Sequence, residues 1–376
     1  MISNILISVT SDLLTDQRVH RTASALKEAG HRVVVIGRKL PHSAALPGRR
    51  YRCHRFRLIF NKGAIFYAEY NIRLFWYLLW HKADILVSND LDTLLPNWIV
   101  SGLKRIPLVY DSHEYFTGVP ELAGRPRTQS VWKWIERRTV PGLKYAFTVN
   151  SEIARLYDEE YGVKFRVLRN VPEPRETVLK EKEALRRELQ LPEDGFLVIL
   201  QGAGINIDRG AEEAVQAMKY LEGVTLLIVG AGDVIPALKK NAKESGLESK
   251  VVFIDRKAPG ELYRYTSSAD IGLSLDKDTN LNYKFSLPNK LFDYIHAGIP
   301  VLVSNLPEVR RIVNQYDIGR IVESHDPRVI ADAIRKMLDE MQDGTTWTLG
   351  LEKAAGELNW NIERKILLDL FREIGS

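Results

Sequence analysis

A chain of 376 residues, 45% apolar and 27% charged, has room for two domains, and its make-up is neither disordered nor collagenous. The single Cys53 excludes an internal disulfide and a cysteine zinc cluster. The net charge of +5 is unevenly divided, with 26 Lys and Arg against 15 Asp and Glu in residues 1–170, and 27 against 33 in the rest. A basic half beside an acidic one suggests that the first meets something anionic: nucleic acid, lipid headgroups or a phosphorylated substrate.

Met1-Ile2-Ser3-Asn4 leads directly into an apolar strand pattern, without the basic and long apolar regions of a signal peptide. The longest apolar stretch, Leu74 to Trp80, falls short of a bilayer span. A cytoplasmic protein is therefore expected. Apolar runs at Ile5–Thr10, Val33–Gly37, Ile85–Ser88, Leu108–Asp111, Tyr145–Asn150 and Phe165–Leu168 read as buried strands. Between the first two, Val19, Ala23 and Leu26 repeat at helical spacing, and Gly30 stands where a left-handed cap is wanted. Such alternation indicates a parallel sheet covered on both faces.

Asn170-Val171-Pro172-Glu173-Pro174 breaks the pattern, because proline continues neither a helix nor a central strand. After a charged stretch, Lys180 to Glu188, a second series follows: Phe196–Leu200, Thr225–Val229, Val251–Ile254, Ile271–Leu275, Val301–Val303 and Arg320–Val322. Two doubly wound α/β domains are expected, residues 1–170 and 171–359, with a last helix over 360–376. In such sheets ligands bind beyond the carboxyl ends of the strands, so function is expected in those loops and where the domains face each other.

The run Gln201 to Gly210 follows the first strand of the second domain and includes Gly204, Asn206 and Arg209. Glycines allow close backbone approach, and a helix N-terminus offers free N–H groups to a phosphate, with Arg209 adding a bidentate cation. Gly230-Ala231-Gly232-Asp233 lacks the last glycine of a dinucleotide fingerprint, Ile235 standing there, and reads as a structural turn. Ser286 to Val301 is the most specific segment: Pro288 and Asn289 open a helix, Leu291 and Ile295 share a face, and Gly298-Ile299-Pro300 closes it. Asp293 in its second turn suits two vicinal hydroxyls of a sugar, or simply complements the helix dipole.

Pro288-Asn289-Lys290-Leu291-Phe292-Asp293-Tyr294 with Ala297-Gly298-Ile299-Pro300-Val301 resembles the donor-site signature of glycosyltransferase family four. The resemblance extends over nearly the whole chain, through Asp16-Gln17-Arg18-Val19, Asp111-Ser112-His113-Glu114, Val167 to Pro172, and Arg209-Gly210. It implies the GT-B fold, two Rossmann-like domains facing a cleft, with the last helix crossing back to the first domain. It also implies a retaining transfer of sugar from a nucleotide diphosphate. The eight histidines are dispersed, so no metal or other cofactor is expected. By the same resemblance, Asp293 matches an acid that grips the donor ribose, Arg209 a lysine on the donor diphosphate, and His113 a histidine beside the donor sugar. Two family residues are missing: a glutamate would fall at Phe285 and an arginine at Gly204. Asn289, Lys290 and backbone amides then take over donor contacts. His113 and Arg209 are the expected catalytic residues. Gly204, Asn206, Asn289, Lys290 and Asp293 are expected on the donor beside Arg209.

Asp16 and Arg18 are expected on the acceptor, although a helix N-cap also explains Asp16. Asp90-Leu91-Asp92 after a strand is better read as a helix cap than as a metal chelate. Residues 49–82 mix Arg50, Arg52, Arg55 and Arg57 with Phe66, Trp76 and Trp80. Without any RNA-binding signature, this pattern suits an anionic membrane surface better than nucleic acid; the plain alternative places Leu74, Trp76 and Trp80 in the core. The expected function is a glycosyltransferase acting on a glycan or lipid-linked acceptor in cell-surface polysaccharide synthesis. A nucleotide-sugar 2-epimerase-like isomerase or a non-catalytic binding subunit are the alternatives.

Overall fold

A computed structural model of the chain describes residues 2–119, 122, 124–174 and 181–376; Lys180, from the charged stretch named above, lies outside them. The chain forms two compact units, Met1–Asn170 with Ile362–Ser376, and Val171–Asn361. The first holds β1 (Asn4–Asp12), β2 (Arg32–Lys39), β3 (Arg52–Arg57), β4 (Ile85–Asn89), β5 (Leu108–Ser112), β6 (Tyr145–Thr148) and β7 (Arg166–Val167). All pairings are parallel, in the order β3-β2-β1-β4-β5-β6-β7. The second holds β8 (Phe196–Gly202), β9 (Val224–Gly230), β10 (Val251–Asp255), β11 (Ile271–Ser274), β12 (Val301–Ser304) and β13 (Gly319–Val322). These too are all parallel, in the order β10-β9-β8-β11-β12-β13. Each unit is thus a doubly wound sheet that reverses direction beside its first strand, the place where such folds bind ligands.

The central strands are continuous apolar runs because both their faces are covered: Ile5, Ile7, Leu86 and Val109 in one unit, and Val198, Ile199, Leu226 and Leu273 in the other, are almost wholly buried. Edge strand β3, Arg-Cys-His-Arg-Phe-Arg, has no counterpart among the apolar runs. Only Phe56 of its residues is buried, since an edge strand needs one apolar contact and tolerates charge. The helix after it, Gly63–Trp80, buries Phe66, Tyr70, Leu74 and Leu78 at helical spacing. Leu74 is core, as one reading held, but Trp76 and Trp80 are exposed, 50% and 75%. Part of the basic stretch turns inward: Arg55 meets Asp12 at 3.4 Å. Among the described residues no helix is long and apolar enough to cross a membrane.

The last helix, Trp360–Gly375, joins the first unit from Ile362 onward. Leu367, Leu370 and Phe371 are buried, and the fully buried Glu363 accepts from the Arg169 backbone N–H at 2.8 Å and its guanidinium at 2.9 Å.

In the second unit Tyr294 crosses under the point of reversal. Its hydroxyl lies 3.1 Å from the Leu273 carbonyl and 3.3 Å from that of Ile199, and its ring lies against Gly272, where a Cβ would fall 2.4 Å from Cγ. The neighbours of that ring leave it nowhere to go, since interiors are close-packed. Gly272→Ala should therefore cost about 1–3 kcal/mol, the usual range for overpacking. Urea unfolding measures this, and a loss under about 0.5 kcal/mol, the range for harmless surface changes, would show that the helix yields.

Candidate functional site

The carboxyl ends of β4 and β5 in the first unit build a compact polar cluster around His113. The His113 backbone N–H donates to Asp90 Oδ1 at 2.8 Å. Its ring presents Nδ1 to Asp90 Oδ2 at 3.2 Å, and Nε2 to Asn89 Oδ1 at 3.2 Å and Asp111 Oδ2 at 3.5 Å. Both ring nitrogens face acceptors, the arrangement of a doubly protonated imidazolium. Burial alone would lower the ring's pKa, but the Asp90 and Asp111 carboxylates outweigh it and raise it to about 9. The Nε2–Asp111 contact is the longest of the three, so a ligand oxygen would compete for that N–H.

Asp90 corrects the expectation of a helix cap. It stands at the cap position of helix Leu91–Lys104 but makes no side-chain cap bond, because its carboxylate turns back to His113. Its backbone has φ 58 and ψ 167, a region that costs a non-glycine residue of order 1–3 kcal/mol. The adjacent Asp92 is buried, with Oδ2 taking the Thr10 hydroxyl at 2.5 Å and Oδ1 unpartnered. Burial and then the Asp90 charge push its pKa up to about 7.

Arg18 departs from its expected place on the acceptor. It is 4% exposed, and its guanidinium holds Asp111 with Nε at 3.0 Å and a second nitrogen at 2.5 Å, a third donor reaching the Leu168 carbonyl at 2.8 Å. Burial opposes ionisation of Asp111, but Arg18 and His113 hold its pKa well below the carboxylate range. Arg18 therefore positions Asp111, and through it His113. Asp16 is the N-cap of helix Gln17–Glu28, accepting from the Val19 N–H at 3.0 Å and the Ser11 hydroxyl at 2.7 Å.

In the second unit, Asp276 follows β11 and is 1% exposed. It holds two of the expected residues together: an Arg209 guanidinium nitrogen lies 2.9 Å from Oδ1, and Lys290 Nζ 3.1 Å from Oδ2. Burial raises the Asp276 pKa, but Lys290 and Arg209 more than reverse this, so it stays an anion. The Arg209 guanidinium stacks 4.2 Å from the Tyr283 ring centre, while its buried Nε has no hydrogen-bond partner. A buried donor left unsatisfied costs about 1–3 kcal/mol, and a bound anion would relieve it.

Asp293 is joined to the end of β8 by Gln201 Nε2 at 3.0 Å, and Gln201 Oε1 is itself fixed by the Thr266 hydroxyl at 2.6 Å. Asn289 is exposed at the start of helix Asn289–Ala297, whose first N–H groups have no intrahelical acceptor. Gly204 is exposed, and Asn206 accepts from the Asp233 N–H at 3.2 Å. That bond ties its loop to the turn at Gly232, where a Cβ would fall 1.9 Å from the Ile205 carbonyl oxygen. Asp276 and the Asp90 contact were not foreseen; an acid directly after an apolar strand was the signal available for both. Among the described residues, no group of three His, Cys, Asp or Glu side chains is placed to hold a metal ion.

Comparison with known proteins matches both units. Residues 15–172 fit the family described as "Glycosyl transferase 4-like domain", and residues 181–347 that described as "Glycosyl transferases group 1". A GDP-mannose-dependent alpha-(1-6)-phosphatidylinositol monomannoside mannosyltransferase of Mycobacterium tuberculosis is 22% identical over 365 residues, 93% of this chain and 85% of that one. A D-inositol 3-phosphate glycosyltransferase of Xylanimonas cellulosilytica is 24% identical over 51% of this chain, a match that spans under half, 46%, of that relative. Among solved structures, a sucrose-phosphate synthase from Thermosynechococcus elongatus shares the fold with a TM-score of 0.80 at 17% identity, over 99% of this chain and 98% of that one.

The His113 cluster makes a direct prediction. With its pKa raised from 6.5 to about 9, the folded state gains stability that is fully present below pH 6.5 and is lost as pH rises through about 9. NMR titration of the ring should give a midpoint near 9, falling by a unit or more in Asp90→Asn. A wild-type midpoint near 6.5 would show that the two carboxylates do not govern it.

Proposed function

The chain belongs to glycosyltransferase family four, with the GT-B fold, and we propose that it transfers a sugar from a nucleotide diphosphate to a glycan or lipid-linked acceptor, with retention at the anomeric carbon. The observation that carries this reading is the cluster of Arg209, Asp276 and Lys290, in which two cations are held in place and one buried guanidinium donor is unsatisfied. Breaking a sugar–phosphate bond puts negative charge on the leaving diphosphate. Cations already fixed by Asp276 meet that charge without reorganising as it develops, which is how electrostatic catalysis gains most. Arg209 and Lys290 do this work in our reading, and no metal ion is assigned a part.

Asn289 and the N–H groups at the head of its helix take phosphate oxygens. Gly204 and Asn206 shape the loop beside them, and Asp293 accepts from the ribose hydroxyls. His113, already charged, donates to the transferred sugar and is no base. Asp16 lies with the acceptor. The M. tuberculosis relative is named for a nucleotide-sugar donor and a phospholipid-linked acceptor; the same classes of donor and acceptor suit this chain. The excess of Lys and Arg in residues 1–170 suits work at the anionic inner surface of a membrane, with residues 49–82 toward the lipid, in cell-surface polysaccharide synthesis.

The test is transfer by the purified chain from a panel of uridine, guanosine and adenosine diphosphate sugars, with the product's anomeric configuration read by NMR. One donor class should be used and its configuration kept. Arg209→Ala should lower kcat about a hundredfold or more, as loss of a preorganised charge-stabilising group does, and not merely raise KM. Full turnover in that variant at saturating donor, or an inverted product, would contradict the reading.

A further inference from the structure

Seven tryptophans are present, and four of them lie at the surface of one layer of the first unit. The layer consists of helices Gly63–Trp80, Leu91–Lys104 and Pro126–Thr139. They connect β3 to β4, β4 to β5 and β5 to β6, three steps in the same direction across the sheet. Right-handed crossovers therefore lay them on the same sheet face. Direct contacts tie them side by side: Asn71 Nδ2 donates to the Asp92 carbonyl at 2.9 Å, Lys104 Nζ to that of Leu78 at 2.7 Å, and Tyr67 meets Trp132 edge-on at 5.0 Å.

The inner stripe of each helix is buried; the outer stripe is apolar on the first two and mixed on the third, where apolar residues stand among exposed arginines. On the first helix Ile72, Trp76 and Trp80 follow one another at intervals of four, the two indoles stacked 6.3 Å apart. On the second, Trp98, Ile99 and Leu103 are exposed, and on the third Val131 and Trp134, the latter 61%. Scattered exposed apolar residues need no explanation, but a patch continued over three adjacent helices does.

Charge decides what covers it. The three helices carry only three acids, Glu69, Asp92 and Glu136. Asp92 and Glu136 are buried, and Glu69 is paired with Arg73 at 2.6 Å. Arg127, Arg137 and Arg138 lie exposed on the third helix, with Lys82 and Arg105 just past the ends of the other two. Indoles set among cations with no opposing acid match an anionic lipid surface, where aromatic rings settle at headgroup depth and each Lys or Arg contributes about 1 kcal/mol. A second copy of the chain would bring the same cations against each other.

We propose that the outer face of these three helices docks on an anionic bilayer, with Trp76, Trp80, Trp98 and Trp134 entering the headgroup boundary. This deepens the membrane reading above by adding two helices outside residues 49–82, and it does not depend on sugar transfer. The test uses the full chain with phosphatidylglycerol-containing vesicles and with pure phosphatidylcholine. The wild type should pellet with the anionic vesicles at low salt and release as salt is raised. Brominated lipid should quench its tryptophan fluorescence, a readout that needs no variant. Trp98→Ser/Trp134→Ser should lose tenfold or more in vesicle affinity while transferring sugar to a soluble acceptor at the wild-type rate. Three results would overturn the proposal: wild type left in the supernatant with anionic vesicles, bound protein whose tryptophans are not quenched, or a folded double variant that binds like wild type. The last would leave the segment 49–82 as the lipid contact. A concentration-dependent dimer that the double variant abolishes would assign the face to a second copy instead.

Discussion

A carboxylate buried at the carboxyl edge of a parallel sheet stays ionised only if cations are pressed against it, and both units of this chain are arranged around that requirement. Asp111 ends β5 under a two-point grip from Arg18, with His113 alongside. Asp276 stands just past β11 between Arg209 and Lys290. Stripping the partner from such a buried charge costs about 3–5 kcal/mol, so the carboxylate and its cations are fixed as a group. The sheet places the carboxylate, and the carboxylate places the cations.

That order of dependence explains how a flexible arginine and lysine become a site. Arg209 and Lys290 would each sample many rotamers on a loop and a helix end; Asp276 and the Tyr283 ring leave them few. The ordering cost is met during folding and not when substrate arrives. The same logic holds in the first unit, where Asp90 accepts an unfavourable backbone conformation to face His113. Strain at the end of a central strand, with a charged ring held by it, is the pattern of a site built for a ligand.

Much of this was legible in the sequence because both sheets are buried on both faces and their strands are unbroken apolar runs. Strand β3 escaped because it lies at an edge, where Arg52 and Arg57 reach water and only Phe56 is buried. The helix from Asn289 was readable from its punctuation, Pro288 before it and Gly298 after, and Gly298 does take the left-handed conformation, φ 70. Side-chain partnerships were not readable: nothing local distinguishes an Arg18 that faces a ligand from one that crosses 93 positions to Asp111. For the same reason Asp90 looked like a cap, and the helix 63–80 gave no sign that Leu74 packs inward while Trp76 and Trp80 face outward. Periodicity assigns a face, while the neighbours that cover it come from distant sequence.

The account rests on Arg209 and Lys290 being held ready for a diphosphate. Calorimetry of uridine, guanosine and adenosine diphosphates with the wild type and with Arg209→Ala/Lys290→Ala tests it most directly. At least one nucleotide should bind the wild type. The double variant, still folded by circular dichroism, should bind it at least a hundredfold more weakly, about 2.8 kcal/mol at 1.4 kcal/mol per tenfold. Equal affinity in the two proteins, or no binding of any of the three nucleotides to the wild type, would contradict it.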